Sequence, residues 1–216
     1  LYSSAASDVY KRQNIYYTLM LKPDFTADCA PMLTLVMALA VAKGIRQTLG
    51  RDSREAAAKV GIKWPNDIVV DGKKVCGILT EMSMEQGYIH HIVIGVGINV
   101  RRQEFSEEIR ERAAAIDEQC GFCISRSQLI ADIMEAFEED YEIFLQTHDL
   151  KGLRDSYAKL LLNQDREVCV LDPKGEYRGI ARGINDQGEL IVERQDGTVE
   201  EVYAGEVSVR GIYGYV

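Results

Sequence analysis

Apolar positions along the chain switch four times between a strand-like and a helix-like period, and each switch opens a new group of elements. Asn14 to Leu21 is a run of β-formers closed by Lys22-Pro23, which predicts a buried strand. Pro31 then stands where the first turn of a helix tolerates a missing N–H. Met32, Leu35, Val36, Leu39, Ala42, Ile45 and Leu49 follow at three-to-four spacing up to Gly50. Arg51 to Lys59 is charged and reads as a loop or a turn of helix, and Val60-Gly61-Ile62 begins another strand. Ile68-Val69-Val70, the turn dipeptide Asp71-Gly72 and the apolar run Val75 to Met82 predict a hairpin. Glu85-Gln86-Gly87 turns the chain into Tyr88 to Val100, a strand interrupted by Gly95 and Gly97. Helices are expected over Glu104 to Glu118, over the amphipathic run Leu129 to Leu145 capped by Ser127, and over Leu150 to Leu162.

Beyond Asn163 the pattern becomes short β-rich pieces: Glu167 to Leu171, Tyr177 to Ile184, Leu190 to Arg194, Val199 to Tyr203 and Val207 to Tyr213. The stretches between them carry Gly, Asn, Asp and Pro, so a small barrel or curled sheet is expected. Taken together the pattern predicts an α+β chain: a mixed β-sheet with packed helices over 14–163, and a small β domain over 164–216. Leu1 to Gln13, Ser/Ala-rich and without period, is set aside as a non-native segment.

Composition narrows the function classes. With 216 residues, 46% of them hydrophobic, there is enough apolar surface for a proper core. A net charge of −9 disfavours a surface built to neutralise phosphates, so no nucleic-acid binding is expected from this portion. Five cysteines, an odd number in a chain of this size, place it in a reducing cytoplasm. The apolar run Met32 to Ala42 is read as a buried helix, too short to cross a membrane.

Chemistry concentrates in one stretch. Lys63-Trp64-Pro65-Asn66-Asp67 holds the only tryptophan, and Lys74 sits near the start of the returning strand, within reach of Gly77. Gly77 lacks a side chain, so a ligand can lie against its backbone. Gly95 and Gly97 alternate along one strand, which fits close approach by a ligand or, equally, a tight crossing in the sheet.

Three motifs in this order, Lys63 to Asp67 (KWPND), Lys74 to Leu79 (K-x-x-G-I-L) and Ile94 to Asn99 (I-G-x-G-I-N), resemble those of biotin protein ligases. The resemblance extends from about Asn14 to Val216, because Gly205 to Arg210 is similar to the family's last strand. It implies a class II synthetase-like biotin/lipoate ligase catalytic fold and an SH3-like C-terminal barrel. It also implies ATP-dependent activation of biotin to biotinyl-AMP, then transfer to a lysine of a biotin carboxyl carrier domain. Lys74 is the implied catalytic residue, an ammonium between two anionic reactants. Gly77, Gly95 and Gly97 would line the biotin slot together with Lys74. Asn99 would read the adenine of ATP, with Lys63 and Asn66 as further ATP-side residues, and Asp67 would orient either the acceptor lysine or a Mg²⁺. Trp64 is read as a packing wall. A homodimer is a further expectation of the resemblance.

The chain departs from the family in having no counterpart of its glycine- and arginine-rich loop or of the Ser/Thr-rich segment before it. Activity of this polypeptide is therefore an open expectation, as is an N-terminal DNA-binding repressor domain. Two other readings stand beside the ligase: a lipoate or octanoate transferring relative with a lysine-centred site, and a non-catalytic interaction fragment. Cys120-Gly121-Phe122-Cys123 lacks a second pair or a nearby histidine and is not assigned a metal. His90 and His91 are adjacent in a strand and are expected to point to opposite faces.

Overall fold

The computed structural model describes residues 13–172, 175–203 and the backbone of 208–211. Two antiparallel five-stranded sheets carry the chain, in the orders β1-β5-β4-β3-β2 and β10-β6-β7-β8-β9. In the first, β1 is Ile15–Leu21, β2 Val60–Lys63, β3 Asp67–Val70, β4 Lys73–Glu85 and β5 Tyr88–Ile98. In the second, β6 is Glu167–Leu171, β7 Tyr177–Ile184, β8 Leu190–Arg194, β9 Val199–Val202 and β10 Ser208–Gly211. The mixed sheet expected from sequence is instead antiparallel in all its ladders, and among the described residues parallel pairing is confined to two isolated bridges, Ile62 with Leu161 and Lys74 with Ala113. The remainder of the expected Val207 to Tyr213 strand lies outside the described residues.

Helix α1, Met32–Gly50, packs on one face of the first sheet and is covered in turn by α4, Arg126–Thr147. That double packing explains why α1 is apolar on nearly every side. Residues 27–50 do have the length and hydropathy of a membrane span, which corrects the expectation from Met32 to Ala42 alone. Of the most apolar 18-residue stretch, however, 78% is buried inside this protein. The helices cross closely at Gly44, where a Cβ would meet the Cα of Ile133 at 2.8 Å. Short helices α2 (Arg54–Ala58), α3 (Ile116–Cys120) and α5 (Arg154–Ala158) fill the connections.

Two expected helices fail for the same reason. In place of a helix over Glu104 to Glu118 there are turns leading into α3. Lys74 donates to the Arg112 carbonyl at 2.8 Å and accepts from Ala114 N–H at 3.0 Å, so this backbone is drawn beside β4. Only Arg154–Ala158 of the Leu150 to Leu162 helix forms, because Ile62 donates to Leu160 and accepts from Leu162. Pairing with a strand overrides local propensity in both places. The cap of α4 is Ser125, whose hydroxyl accepts from Gln128 N–H at 3.3 Å, and Ser127 lies within the first turn. β1 is half-buried rather than buried, with Tyr16, Thr18 and Met20 on the open face. The turn at Asp71-Gly72 has positive φ at both residues, as its sequence predicts.

Candidate active site

A one-residue bulge builds the site. Val69 pairs with Lys74 and Ile68 with Cys76, so Val75 is an extra residue in β4. In a regular strand Lys74 and Gly77, three apart, would point to opposite faces; the bulge turns the lysine onto the glycine's face. A Cβ on Gly77 would sit 3.2 Å from both Cε and Nζ of Lys74, so the missing side chain is the space the lysine stem occupies. The Lys74 ammonium forms an ion pair there with Asp67 Oδ1.

Strand register lines up the rest. Lys63 pairs with Asp67, Asp67 with Gly77, Gly77 with Gly97, and Gly97 with Tyr16, which is one row across all five strands of the first sheet. The next row holds Leu79, Gly95 and Thr18. The Tyr16 ring lies against Gly97, where a Cβ would be 3.4 Å from it, whereas a Cβ at Gly95 would meet only the Leu79 carbonyl oxygen, at 3.7 Å. Gly95 is thus the open part of the floor.

Two cavities meet at Lys74. One, about 650 Å³, has Gly77, Gly95 and Gly97 as floor and Tyr16, Tyr17, Asn66 and Leu79 around them. The other, about 690 Å³, is lined by Asn99, Gln103, Cys76 and Arg112 among others. Both include Tyr16, Lys74 and Gly77, so a molecule extending from one to the other passes the ammonium. Arg112 gives the second cavity its other cation.

Asn66 is fixed at the rim, its Nδ2 donating to the Ile78 carbonyl at 2.9 Å while the Ile78 N–H donates to the Asn66 backbone carbonyl at 3.0 Å. Lys63 belongs to the row but is 8% exposed and lines neither cavity. Trp64, 2% exposed, donates from Nε1 to the Gly188 carbonyl at 2.9 Å and from its backbone to Asn163 Oδ1, holding the second sheet against the motif. Burial, then the nearby Asp67, pushes the Cys76 thiol well above its usual range, so it stays protonated and is no nucleophile.

Of the residues singled out in the sequence, Lys74, Gly77, Gly95, Gly97, Asn66 and Asn99 line the two cavities and Asp67 joins them through Lys74; Tyr16, Gln103 and Arg112 were not among them. Alternation in Ile15-Tyr16-Tyr17-Thr18 was the available signal for Tyr16, but Arg112 had none, because it arrives on the segment drawn beside β4. Among the described residues no group of three or more His, Cys, Asp or Glu is arranged for a metal, and Cys120 and Cys123 are free thiols. The rings of His90 and His91 do not diverge as expected. A second bulge, between Ser83 and Met84, leaves His90 as the extra residue of β5, and the two ring centroids lie 4.8 Å apart.

Comparison with known proteins agrees with the motifs and the fold. Residues 9–99 match the Biotin/lipoate A/B protein ligase family, beginning somewhat before Asn14, and residues 165–210 match the Biotin protein ligase C terminal domain. The bifunctional ligase/repressor BirA of Bacillus spizizenii is 36% identical over 200 residues, 90% of this chain and 58% of that protein. The biotin--[acetyl-CoA-carboxylase] ligase of Paracoccus denitrificans is 27% identical over 89% of this chain and 80% of its own length. The chain thus spans less than two thirds of the BirA relatives it matches. A biotin protein ligase from Aquifex aeolicus in complex with biotin and ATP superposes with a TM-score of 0.75 at 25% identity, over 92% of this chain and 79% of that one. A mutant of that ligase in complex with biotin gives 0.78 at 26%, over 92% and 78%. Three ordered motifs, two family matches at the two ends and a shared fold make this chain a member of the biotin protein ligase family.

Proposed function

We propose that the chain is the ligase part of an enzyme that activates biotin with ATP and passes it to a lysine of a biotin carboxyl carrier domain. The observation that carries this reading is the Lys74 ammonium, held over Gly77 at the junction of a glycine-floored cavity and one lined by Asn99. Biotin lies on Gly95 and Gly97 with its carboxylate toward Lys74, and the nucleotide lies toward Asn99 and Arg112. A carboxylate oxygen attacks the α-phosphorus; the new O–P bond forms as the bond to pyrophosphate breaks. The ammonium lowers repulsion between the two anions and stabilises charge as it spreads in the transition state. The carrier's neutral ε-amine then attacks the acyl carbon, AMP leaves with the C–O electron pair, and the nitrogen gives up its extra proton to solvent.

Asp67 holds Lys74 in place through their ion pair, and its carboxylate orients the incoming amine when substrate draws the ammonium away. Mg²⁺ prefers several oxygens in octahedral array, and one carboxylate already paired with a lysine is a poor dedicated cage. The ion would therefore be carried chiefly by ATP's own phosphates. In this reading 14–163 is the catalytic portion and 164–216 an SH3-like barrel, the setting is the cytoplasm, and the net charge of −9 gives this portion no nucleic-acid role. Homodimerisation remains part of the proposal. A lipoate or octanoate transferring relative would share the lysine, but the match to the Biotin protein ligase C terminal domain favours biotin.

Lys74→Ala tests the reading. Biotinyl-AMP formation, followed by pyrophosphate release and in a chain extended to the length of its relatives, is expected to fall about 10²- to 10³-fold with the fold retained by circular dichroism. Adenylate formed at the parent rate would remove Lys74 from the chemistry.

A further inference from the structure

Three side-chain amides run in series from a backbone N–H to the second cavity. Val100 N–H donates to Asn14 Oδ1 at 3.1 Å, Asn14 Nδ2 donates to Gln103 Oε1 at 2.9 Å, and Gln103 Nε2 donates to Asn99 Oδ1 at 3.2 Å. An amide can ordinarily be turned over, exchanging its donor and acceptor ends. A backbone N–H cannot, because it only donates. It fixes Asn14, Asn14 fixes Gln103, and Gln103 fixes Asn99. Asn14 is 5% exposed, so little water competes for the first link.

We infer that Gln103 and Asn14 are positioning residues for the nucleobase: they lock the Asn99 amide with Oδ1 turned to Gln103 and leave Nδ2 as the donor offered to the cavity. This rests on Asn99 reading the base, as proposed above. A donor in a fixed place selects an acceptor, and a purine offers N1, N3 and N7. The selectivity of the pocket is therefore set one residue back from the group that touches ligand, by a glutamine four positions along the chain.

The lock can be reversed by exchanging one atom, the Gln103 amide nitrogen for an oxygen. In Gln103→Glu the carboxylate only accepts. It still receives Asn14 Nδ2, but Asn99 must turn its Nδ2 inward and offer Oδ1 to the cavity. Calorimetry on this chain with ATP and with its 1-deaza, 3-deaza and 7-deaza analogues, and separately with biotin, reads the consequence. In the parent, one of the three analogues is expected to bind about tenfold more weakly than ATP, the size of one hydrogen bond. In Gln103→Glu, ATP itself weakens about tenfold, loss of that same nitrogen costs less than about twofold, and biotin affinity and melting temperature stay put. Gln103→Leu, which frees Asn99 to adopt either orientation, keeps the analogue preference with a smaller loss for ATP.

Unchanged ATP affinity in Gln103→Glu, an intact analogue preference, or an equal fall in biotin affinity would each overturn the lock while leaving the reading of Asn99 standing. A parent that binds ATP but ignores all three substitutions, or that binds no ATP, overturns the reading of Asn99 and the lock with it.

Discussion

Gly95 shows how a single absent side chain decides what a strand can do. It shares a row with Leu79 and Thr18, and around it there is open space where Gly77 has the Lys74 stem and Gly97 the Tyr16 ring. Gly95→Val places a branched side chain in that space. Biotin affinity is expected to fall by at least about tenfold, with ATP affinity and fold retained, since β-branched residues suit strands. Calorimetry with each ligand separates the two, and undiminished biotin binding would remove the floor from the site. Lys74 and Gly77 were singled out in the sequence by the motif they share and by the reach of the lysine stem along the returning strand. The bulge at Val75 that lets the stem reach was not legible, because nothing in Lys73-Lys74-Val75-Cys76 distinguishes a bulged strand from a regular one.

At the scale of elements, the α1–α4 pairing carries two buried carboxylates with opposite fortunes. Asp132 accepts from both guanidinium nitrogens of Arg51, from Thr48 and from Gln128, and chiefly the Arg51 bonds bring its carboxyl down to about 2. Two turns along α4, Asp140 has Lys43 alone, at 2.5 Å, and burial outweighs that partner and raises it. A carboxyl lowered on folding adds stability that is present above the ordinary carboxylate range and lost as pH falls toward 2. Asp132→Asn is accordingly expected to melt lower at pH 7, by about 1–3 kcal/mol. The larger losses typical of fully buried pairs do not apply, because Arg51 remains in contact with solvent. The gap between variant and parent should close between pH 4 and pH 2 in thermal melts followed by circular dichroism; a gap that held constant with pH would show that Asp132 acts through packing alone. Strands, long helices and turns were readable from period and turn chemistry. The two lost helices were not, since 112–114 and 160–162 are claimed by strands that lie distant in sequence.

Across the whole molecule, the KWPND motif serves both sheets at once. Its lysine and aspartate belong to the cross-strand row, its asparagine to the cavity rim, and its tryptophan to the turn before β8. Trp64→Phe keeps an aromatic ring but removes the pyrrole half of the buried indole and with it the bond to Gly188, leaving a carbonyl without its donor and a gap beside it. A loss of about 1–3 kcal/mol is expected in denaturant unfolding, and no change there would show that the second sheet docks without this bond. The same indole, the chain's only one, gives the protein a built-in optical reporter. Its emission is set by the dry, carbonyl-capped pocket it occupies between the sheets, two residues from the rim asparagine. Shifts in wavelength on titrating substrate will register whether events at the cleft are felt at the seam, with no dye attached and no background from another indole to subtract.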